Sequence, residues 1–165
     1  MRYYLNLGSN LGDPMRNITR VLAALSAGTG GCIVTPPIVS QPWGFRSENT
    51  FVNLGVAVDT GMTPGQMLRF TQSVERRLGS GPHRNPDGSY ADRLIDIDIM
   101  AADGPDGKPI TVNTDNLTIP HPHLHGRDFF LIPYRQLRKC RPVLTCHGKV
   151  VTLQAENGAD DAPHA

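Results

Sequence analysis

The segment Ile95-Asp96-Ile97-Asp98-Ile99 alternates isoleucine with aspartate. In a β-strand, successive side chains point to opposite faces, so the isoleucines share one face and the two aspartates share the other. A chain with this segment must therefore form a sheet that has one covered, apolar face and an acidic patch on its opposite face. Aspartate is depleted in strands, so this pair requires a separate explanation.

Asp96 and Asp98 are separated by about 6–7 Å along an extended backbone, so their carboxylates can converge on one ion or on two. Hard oxygen ligands suit Mg²⁺, which completes its shell with water and substrate phosphates. The alternative is a pair of solvated aspartates on a polar sheet face. Because the surrounding β-branched run has no structural need for acids, we favour a magnesium site.

Two helices are marked by their first residues. Asp13 followed by Pro14 predicts a helix that continues to Gly28, and the Thr63 and Gln66 pair predicts a capping box for a helix that ends at Gly79. A third helix is predicted over residues 128–139. Strands are predicted over residues 2–8, 32–40 (interrupted by Pro36 and Pro37), 51–59, 94–100 and 109–112.

The order strand, helix, strand, strand, helix, strand predicts an α+β fold. It resembles a ferredoxin-like sandwich, a mostly antiparallel sheet with helices on one face. The other face would be free for a site. With 165 residues we expect one domain over residues 1–153, followed by a disordered tail at 154–165.

The net charge of +1 excludes a broad positive field for nucleic acid or for an anionic membrane. No segment approaches the roughly 20 apolar residues of a membrane span, and the N-terminus lacks the core of a signal peptide. We therefore expect a cytoplasmic protein that binds neither nucleic acid nor membrane.

Basic residues surround the acidic strand. Transfer of a polyphosphate requires positive charge and metal rather than covalent chemistry from the protein. Arg84 lies in a long loop, residues 80–91, from which it could swing over a phosphate, whereas Arg76 and Arg77 are interpreted as helix-surface charges. Strand alternation places Arg93 opposite the aspartates unless the strand begins after it.

His121, His123 and His125 alternate in a proline-containing turn. Zinc normally needs three or four protein ligands, and no obvious partners accompany these histidines. The pattern instead favours a histidine that binds phosphate or caps the next helix.

Several of the few aromatic residues lie beside loops, among them Trp43, Phe51 and Phe129. A planar ring ligand could lie between two of them while Asn53 binds its polar edge. The alternative is ordinary core packing, which we assign to Phe45 and Phe130.

Five groups of residues recur here in a familiar order: Gly8-Ser9-Asn10-Leu11; Pro42-Trp43-Gly44 before Phe51-Val52-Asn53; Gln72 and Glu75; Asp92 to Ile99; and Ile119-Pro120-His121-Pro122 through Arg127-Asp128-Phe129. Over residues 3–139 the chain resembles the 6-hydroxymethyl-7,8-dihydropterin pyrophosphokinases of folate biosynthesis. The resemblance implies a ferredoxin-like fold and transfer of the terminal diphosphate of ATP to the pterin hydroxymethyl group, with release of AMP.

The resemblance also implies roles for individual residues. Asp96 and Asp98 would bind two Mg²⁺ ions that bridge the ATP phosphates and the pterin oxygen. The nucleotide and its phosphates would be surrounded by Gln72, Glu75, Arg93, His121 and Arg127. Asn53 would hydrogen-bond the pterin, Phe51 and Phe129 would stack on it, and the backbone around Ser40, Gln41 and Trp43 would bind its edge.

The chain departs from this family in the long loop. Ser80 stands where relatives often have arginine, Tyr90-Ala91-Asp92-Arg93 replaces most of an Arg-Trp-Gly-Pro-Arg run, and Pro122 occupies a position that can be tyrosine. The catalytic loop arginine therefore stays open, with Arg84 or His83 as substitutes. We expect Asp96, Asp98, Arg93 and Arg84 to be catalytic, in a monomer whose partners are ATP and the pterin.

Two other functions fit the same pattern. A noncatalytic nucleotide- or pterin-binding module is disfavoured because both aspartates are present. A metal-dependent phosphohydrolase would need a general base to activate water, and the sequence offers no clear one.

Overall fold

The structure is a computed structural model that describes residues 1–81, 91–140 and 149–153. In those ranges the strands are β1 (Arg2–Ser9), β2 (Gly31–Val34), β3 (Ile38–Ser40), β4 (Phe51–Asp59), β5 (Asp96–Asp103), β6 (Val112–Thr114), β7 (Leu117–Ile119) and β8 (Lys149–Thr152). The helices are α1 (Pro14–Thr29), α2 (Pro64–Arg77) and α3 (Asp128–Lys139). The predicted tail at 154–165 lies outside the described residues.

The main sheet has the strand order β5-β1-β4-β2-β8, and β3 pairs with β4 beyond the end of β2. All of its pairings are antiparallel except β2 with β8. The predicted interruption at Pro36 and Pro37 is confirmed, because β2 ends before the two prolines and β3 begins after them. The α+β class is thus confirmed, with a mixed but mostly antiparallel sheet.

Local capping accounts for the two predicted helix starts. The Asp13 carboxylate accepts a hydrogen bond from the Arg16 amide at 3.0 Å. At α2, the amide of Thr63 donates to Gln66 and the amide of Gln66 donates to Thr63 Oγ1, which is a complete capping box. Both predictions are confirmed.

The two faces of the sheet are covered by different helices. Leu5 and its alternate neighbours on β1 belong to a core cluster with residues of α1 and α2, whereas Tyr4 packs in a second cluster with Phe130 and Leu137 of α3. The prediction that the helices lie on one face is therefore right for α1 and α2 and wrong for α3. Gly55 permits this close packing of α3, since a Cβ there would lie 2.6 Å from Pro133.

The segment after β5 differs from the prediction. The turn at residues 103–108 is present, with the Gly104 amide donating to the Lys108 carbonyl at 2.8 Å. The predicted partner strand over 109–112 is wrong, because Pro109 forms only an isolated bridge with Asp103 and β6 pairs instead with β7. Proline has no N–H for a ladder, which explains the break. Within the described ranges, no helix is long and apolar enough to cross a membrane.

Candidate active site

The candidate site lies on the α3 face of the sheet, where β1 is paired with β4 on one side and β5 on the other. Gly8 is opposite Asn53 on β4 and Asp96 on β5, and Asn6 is opposite Asp98. Strand alternation places these residues on one face. They form the floor of a cavity of about 250 Å³.

The cavity brings together most of the residues that the sequence singled out. Those expected to contact the pterin all line it: Ser40, Gln41, Trp43, Phe51, Asn53 and Phe129. A charged group lines the same cavity: Arg93, Asp96, Asp98, His121 and Arg127. A wall of aromatic and amide side chains and a wall of charged side chains therefore face one space.

Arg93 reaches the acidic pair because β5 begins at Asp96, later than predicted. The Arg93 guanidinium forms a salt bridge with the Asp96 carboxylate. The backbone of Arg93 is held by Asn10, whose amide donates to the Arg93 carbonyl at 3.1 Å and whose Oδ1 accepts from the Arg93 amide at 2.8 Å. The glycine turn at residues 8–12 therefore positions an arginine.

Asp92 connects the loop between β3 and β4, residues 41–50, to this turn. Its carboxylate accepts hydrogen bonds from Asn10 at 2.7 Å and from Asn49 at 3.0 Å. Burial acts to raise the pKa of Asp92, but hydrogen bonds from Ser47, Asn10 and Asn49 outweigh it and hold the pKa below its usual value. Asp92 is thus a charged anchor beside Arg93.

Asp98 and His121 meet at the back of the cavity, with Nε2 of the histidine 3.8 Å from Oδ1 of the aspartate. Burial, reinforced by repulsion from Asp96, raises the pKa of Asp98 well above its usual value. Burial and the nearby Arg127 lower the pKa of His121 to about 4, so this imidazole is neutral at pH 7. Because its Nδ1 accepts from the His123 amide, Nε2 carries the proton and can donate into the cavity.

Arg127, which lines the cavity, packs against aromatic rings. Its Cζ lies 3.9 Å from the centre of the Trp43 ring, a cation–π distance, and 5.2 Å from that of Phe130. Phe130 is fully buried, which confirms its assignment to the core. The same assignment is wrong for Phe45, which lines the cavity with its ring edge-on to Phe51.

Among the predicted site residues that the structure describes, two do not line the cavity. Glu75 is buried and accepts a hydrogen bond from the Ile97 amide at 2.7 Å, so it supports the outer edge of β5. Gln72 is exposed on α2, one turn before Glu75. Arg84 lies outside the described residues, as does His83.

A second cavity, of about 350 Å³, adjoins the first and shares Asp98, His121 and Pro122 with it. Leu68 of α2, the edge of β5 and the β6–β7 hairpin line the rest. Sequence reasoning missed this cavity because it placed a strand at 109–112 and no hairpin at 112–119. The hairpin residues carry no motif that marks them.

Asn6 and Gly8 also line the first cavity and were missed. A signal existed for Asn6, since an asparagine inside the otherwise apolar run Tyr3-Tyr4-Leu5-Asn6-Leu7 is unusual for a strand. Its alternation partner Gly8 lies under Asn53, where a Cβ would be 2.9 Å from the Asn53 Oδ1 atom.

The chain is similar to known proteins of one family. The family model described as 7,8-dihydro-6-hydroxymethylpterin-pyrophosphokinase (HPPK) matches residues 4–139. A 2-amino-4-hydroxy-6-hydroxymethyldihydropteridine pyrophosphokinase from Porphyromonas gingivalis is 37% identical over 79% of this chain and 86% of its own length.

Proteins with the same name from Methylorubrum extorquens and Aquifex aeolicus are 33% and 31% identical. The first of these matches covers 91% of this chain and 89% of the relative, and the second covers 81% and 78%. The chain belongs to the 7,8-dihydro-6-hydroxymethylpterin-pyrophosphokinase family.

Proposed function

We propose that this protein transfers the terminal diphosphate of ATP to the hydroxymethyl group of 6-hydroxymethyl-7,8-dihydropterin, giving the pterin diphosphate and AMP in folate biosynthesis. The observation that carries the proposal is the junction of two cavities at Asp98 and His121. One cavity has the rings and amides that suit a planar heterocycle, and the other is a separate space for a nucleotide. Their junction is where the groups to be joined would meet.

The pterin would occupy the first cavity. Phe51 and Phe129 supply ring faces for stacking, and the Asn53 amide supplies hydrogen bonds to the polar edge. Ser40 at the end of β3, and Gln41 and Trp43 after it, line another wall of this cavity. This arrangement directs the hydroxymethyl end toward the acidic pair.

The nucleotide would occupy the second cavity with its phosphates at the junction. Arg93 and Arg127 line the first cavity beside the aspartates and would neutralise phosphate charge there. The neutral His121 would donate a hydrogen bond from its Nε2–H group to a phosphate oxygen. Glu75 and Gln72 would act from α2, Glu75 by holding the edge of β5 and Gln72 from the exposed surface.

Asp96 and Asp98 fit a magnesium site because carboxylate oxygens are hard ligands of the kind that Mg²⁺ prefers. Their oxygens share one face, and burial together with repulsion from Asp96 raises the pKa of Asp98, so a bound cation would favour the charged form of this carboxylate. In the described parts of the chain, no three His, Cys, Asp or Glu side chains form a metal cluster, so water and phosphate oxygens would complete the shell. When bound, two Mg²⁺ ions would neutralise and orient the phosphates.

The transfer would be an in-line displacement. The hydroxymethyl oxygen bonds to the β-phosphorus, the bond from that phosphorus to the α,β-bridging oxygen breaks, and AMP leaves while the hydroxyl proton is lost to solvent. The chain would contribute alignment and charge neutralisation rather than a strong base. Arg84, in the long loop, would complete the positive shell as the fourth catalytic residue.

The finer architecture is part of the proposal. A ferredoxin-like core, extended by α3 on the second face, would form one domain over residues 1–153 with a disordered tail after it. A monomer would suffice, because both cavities are formed by one chain. The compartment would be the cytoplasm, where ATP is available.

The test is incubation of the protein with ATP, Mg²⁺ and the pterin, with nucleotides and phosphates separated by chromatography. AMP that forms only when pterin is present supports the proposal. Free phosphate or pyrophosphate without pterin would indicate a hydrolase, and unchanged ATP would indicate a binding module. Asp98→Asn should abolish AMP formation, whereas Asp106→Asn, in the exposed turn after β5, should not.

A further inference from the structure

Asn6 is a buried amide in the floor of the first cavity. The residue is polar but only 2% exposed, and it lies in the middle of β1 between Leu5 and Leu7. It is opposite Asp98 on β5 and lines the cavity together with Asn53 and the acidic pair. A residue at this position faces the same space as the proposed substrate.

The amides of Asn6 and Asn53 form a directional chain of hydrogen bonds. Nδ2 of Asn6 donates to Oδ1 of Asn53 at 3.3 Å, and Nδ2 of Asn53 donates to Oγ of Ser40 at 2.8 Å. Each amide is therefore oriented by the next residue. Asn6 determines that the Asn53 oxygen faces β1 and that its nitrogen faces Ser40.

Within this set of three hydrogen-bonded side chains, one buried atom has no partner among the described residues. Oδ1 of Asn6 is buried and accepts no hydrogen bond from any residue that the structure describes. A buried acceptor without a donor costs free energy, so such atoms in folded proteins generally have a reason. Here the atom belongs to a cavity-lining residue, where a ligand can supply the donor.

We propose that Asn6 is a further substrate-binding and specificity-determining residue, whose Oδ1 accepts a hydrogen bond from an N–H of the heterocycle while its Nδ2 sets the orientation of Asn53. This inference rests on the proposed function. The wall would then present an acceptor at Asn6 and a hydroxyl donor at Ser40. That order selects a planar ring with an N–H donor and an oxygen or nitrogen acceptor along one edge.

A purely structural role predicts different behaviour. If Asn6 only filled space in the sheet, leucine of similar volume would substitute for it without changing pterin affinity. If Asn6 only stabilised the fold, its loss would weaken ATP and pterin binding alike. The proposal predicts a selective loss for the pterin.

The experiment measures pterin and ATP affinities by calorimetry for the wild type, Asn6→Leu, Asn6→Ala and the control Asn113→Ala. Asn113 is an exposed asparagine on β6, and it lines neither cavity. We expect both Asn6 variants to bind the pterin at least about tenfold more weakly, with ATP affinity within about twofold of wild type. Asn113→Ala should retain both affinities.

A double-mutant cycle with Asn53→Ala tests the orienting role. Because Asn6 acts partly through Asn53, its substitution should cost less pterin affinity when Asn53 is already alanine. Additive losses would overturn the orienting role. Wild-type pterin affinity in Asn6→Leu or Asn6→Ala, or an equal loss of ATP and pterin affinity in Asn6→Leu, would overturn the substrate-binding role.

The outcomes for the wild type separate this inference from the proposed function. If the wild type fails to bind the pterin or to form AMP, the proposed function is wrong. If the wild type does both and the Asn6 variants match it, only the inference about Asn6 is wrong.

Discussion

Gly8→Ala adds one methyl group beneath the amide that is proposed to bind the pterin. The new Cβ would lie 2.9 Å from Oδ1 of Asn53, whereas ordinary contacts begin at 3.4 Å. Gly8 is not among the glycines with a positive φ, so its backbone can accept alanine. The amide of Asn53 must therefore move, and its hydrogen bonds with Asn6 and Ser40 must lengthen.

The size of the effect follows from those two bonds. The Asn6 bond is already 3.3 Å long, so a shift of about half an ångström breaks it. A protein hydrogen bond contributes about 0.5–1.5 kcal/mol, so loss of both costs roughly 1–3 kcal/mol. A loss of this free energy from pterin binding lowers the pterin affinity roughly 5- to 150-fold.

Isothermal titration of the pterin into Gly8→Ala and into Gly61→Ala measures this directly. Gly61 is exposed and has nothing within 4 Å of an added Cβ, so it controls for the change from glycine to alanine. Both variants should keep wild-type ATP affinity. Equal pterin affinity in the two variants would refute the steric argument and the role of Asn53 on which it depends.

Three further predictions concern the acids, the stacking wall and the core. Asp96→Ala and Asp98→Ala should each lower turnover by about a thousandfold or more in a Mg²⁺-dependent assay, with little change in Tm. Phe129→Ala should weaken pterin binding about tenfold through lost stacking, measured by titration, with ATP affinity retained. Burial raises the pKa of Tyr3 and that of Tyr4 to about 12, so the contribution of these two tyrosines to stability is complete below pH 10 and should be lost between pH 10 and 12, measured as a falling Tm.

Each of these has a distinct contradicting result. Wild-type turnover in either aspartate variant would remove the acids from the chemistry. Unchanged pterin affinity in Phe129→Ala would remove that ring from the pocket. A Tm that stays flat from pH 10 to 12 would mean that Tyr3 and Tyr4 ionise without cost to the fold.

Local signals in the sequence predicted the elements that carry their own caps and periodicity. Asp13 and the Thr63–Gln66 pair marked two helix starts correctly, and the isoleucine–aspartate alternation placed both acids on one face. The individual pterin and nucleotide contacts came from resemblance to a family. Composition and spacing alone suggested only a metal, phosphate and ring-binding site.

The failures concern contacts that depend on distant residues. The position of α3 depends on Gly55, whose missing side chain admits Pro133, and no local pattern around α3 shows this. The position of Arg93 depends on where β5 begins. Because β5 begins at Asp96 and not at residue 94, strand alternation does not fix the side of Arg93, and its guanidinium reaches the Asp96 carboxylate. The importance of Asn6 depends on its register with Asp98 and on the Asn53 amide.

The most direct test is a crystal structure of the protein with Mg²⁺, the pterin and an ATP analogue in which a methylene group replaces the α,β-bridging oxygen. This analogue cannot lose AMP, so the complex would persist in its reactive arrangement. The account predicts the adenosine in the second cavity, the pterin in the first, and cation density between the carboxylates of Asp96 and Asp98. Phosphates bound away from this pair, or a pterin bound outside the Asn53 wall, would contradict it.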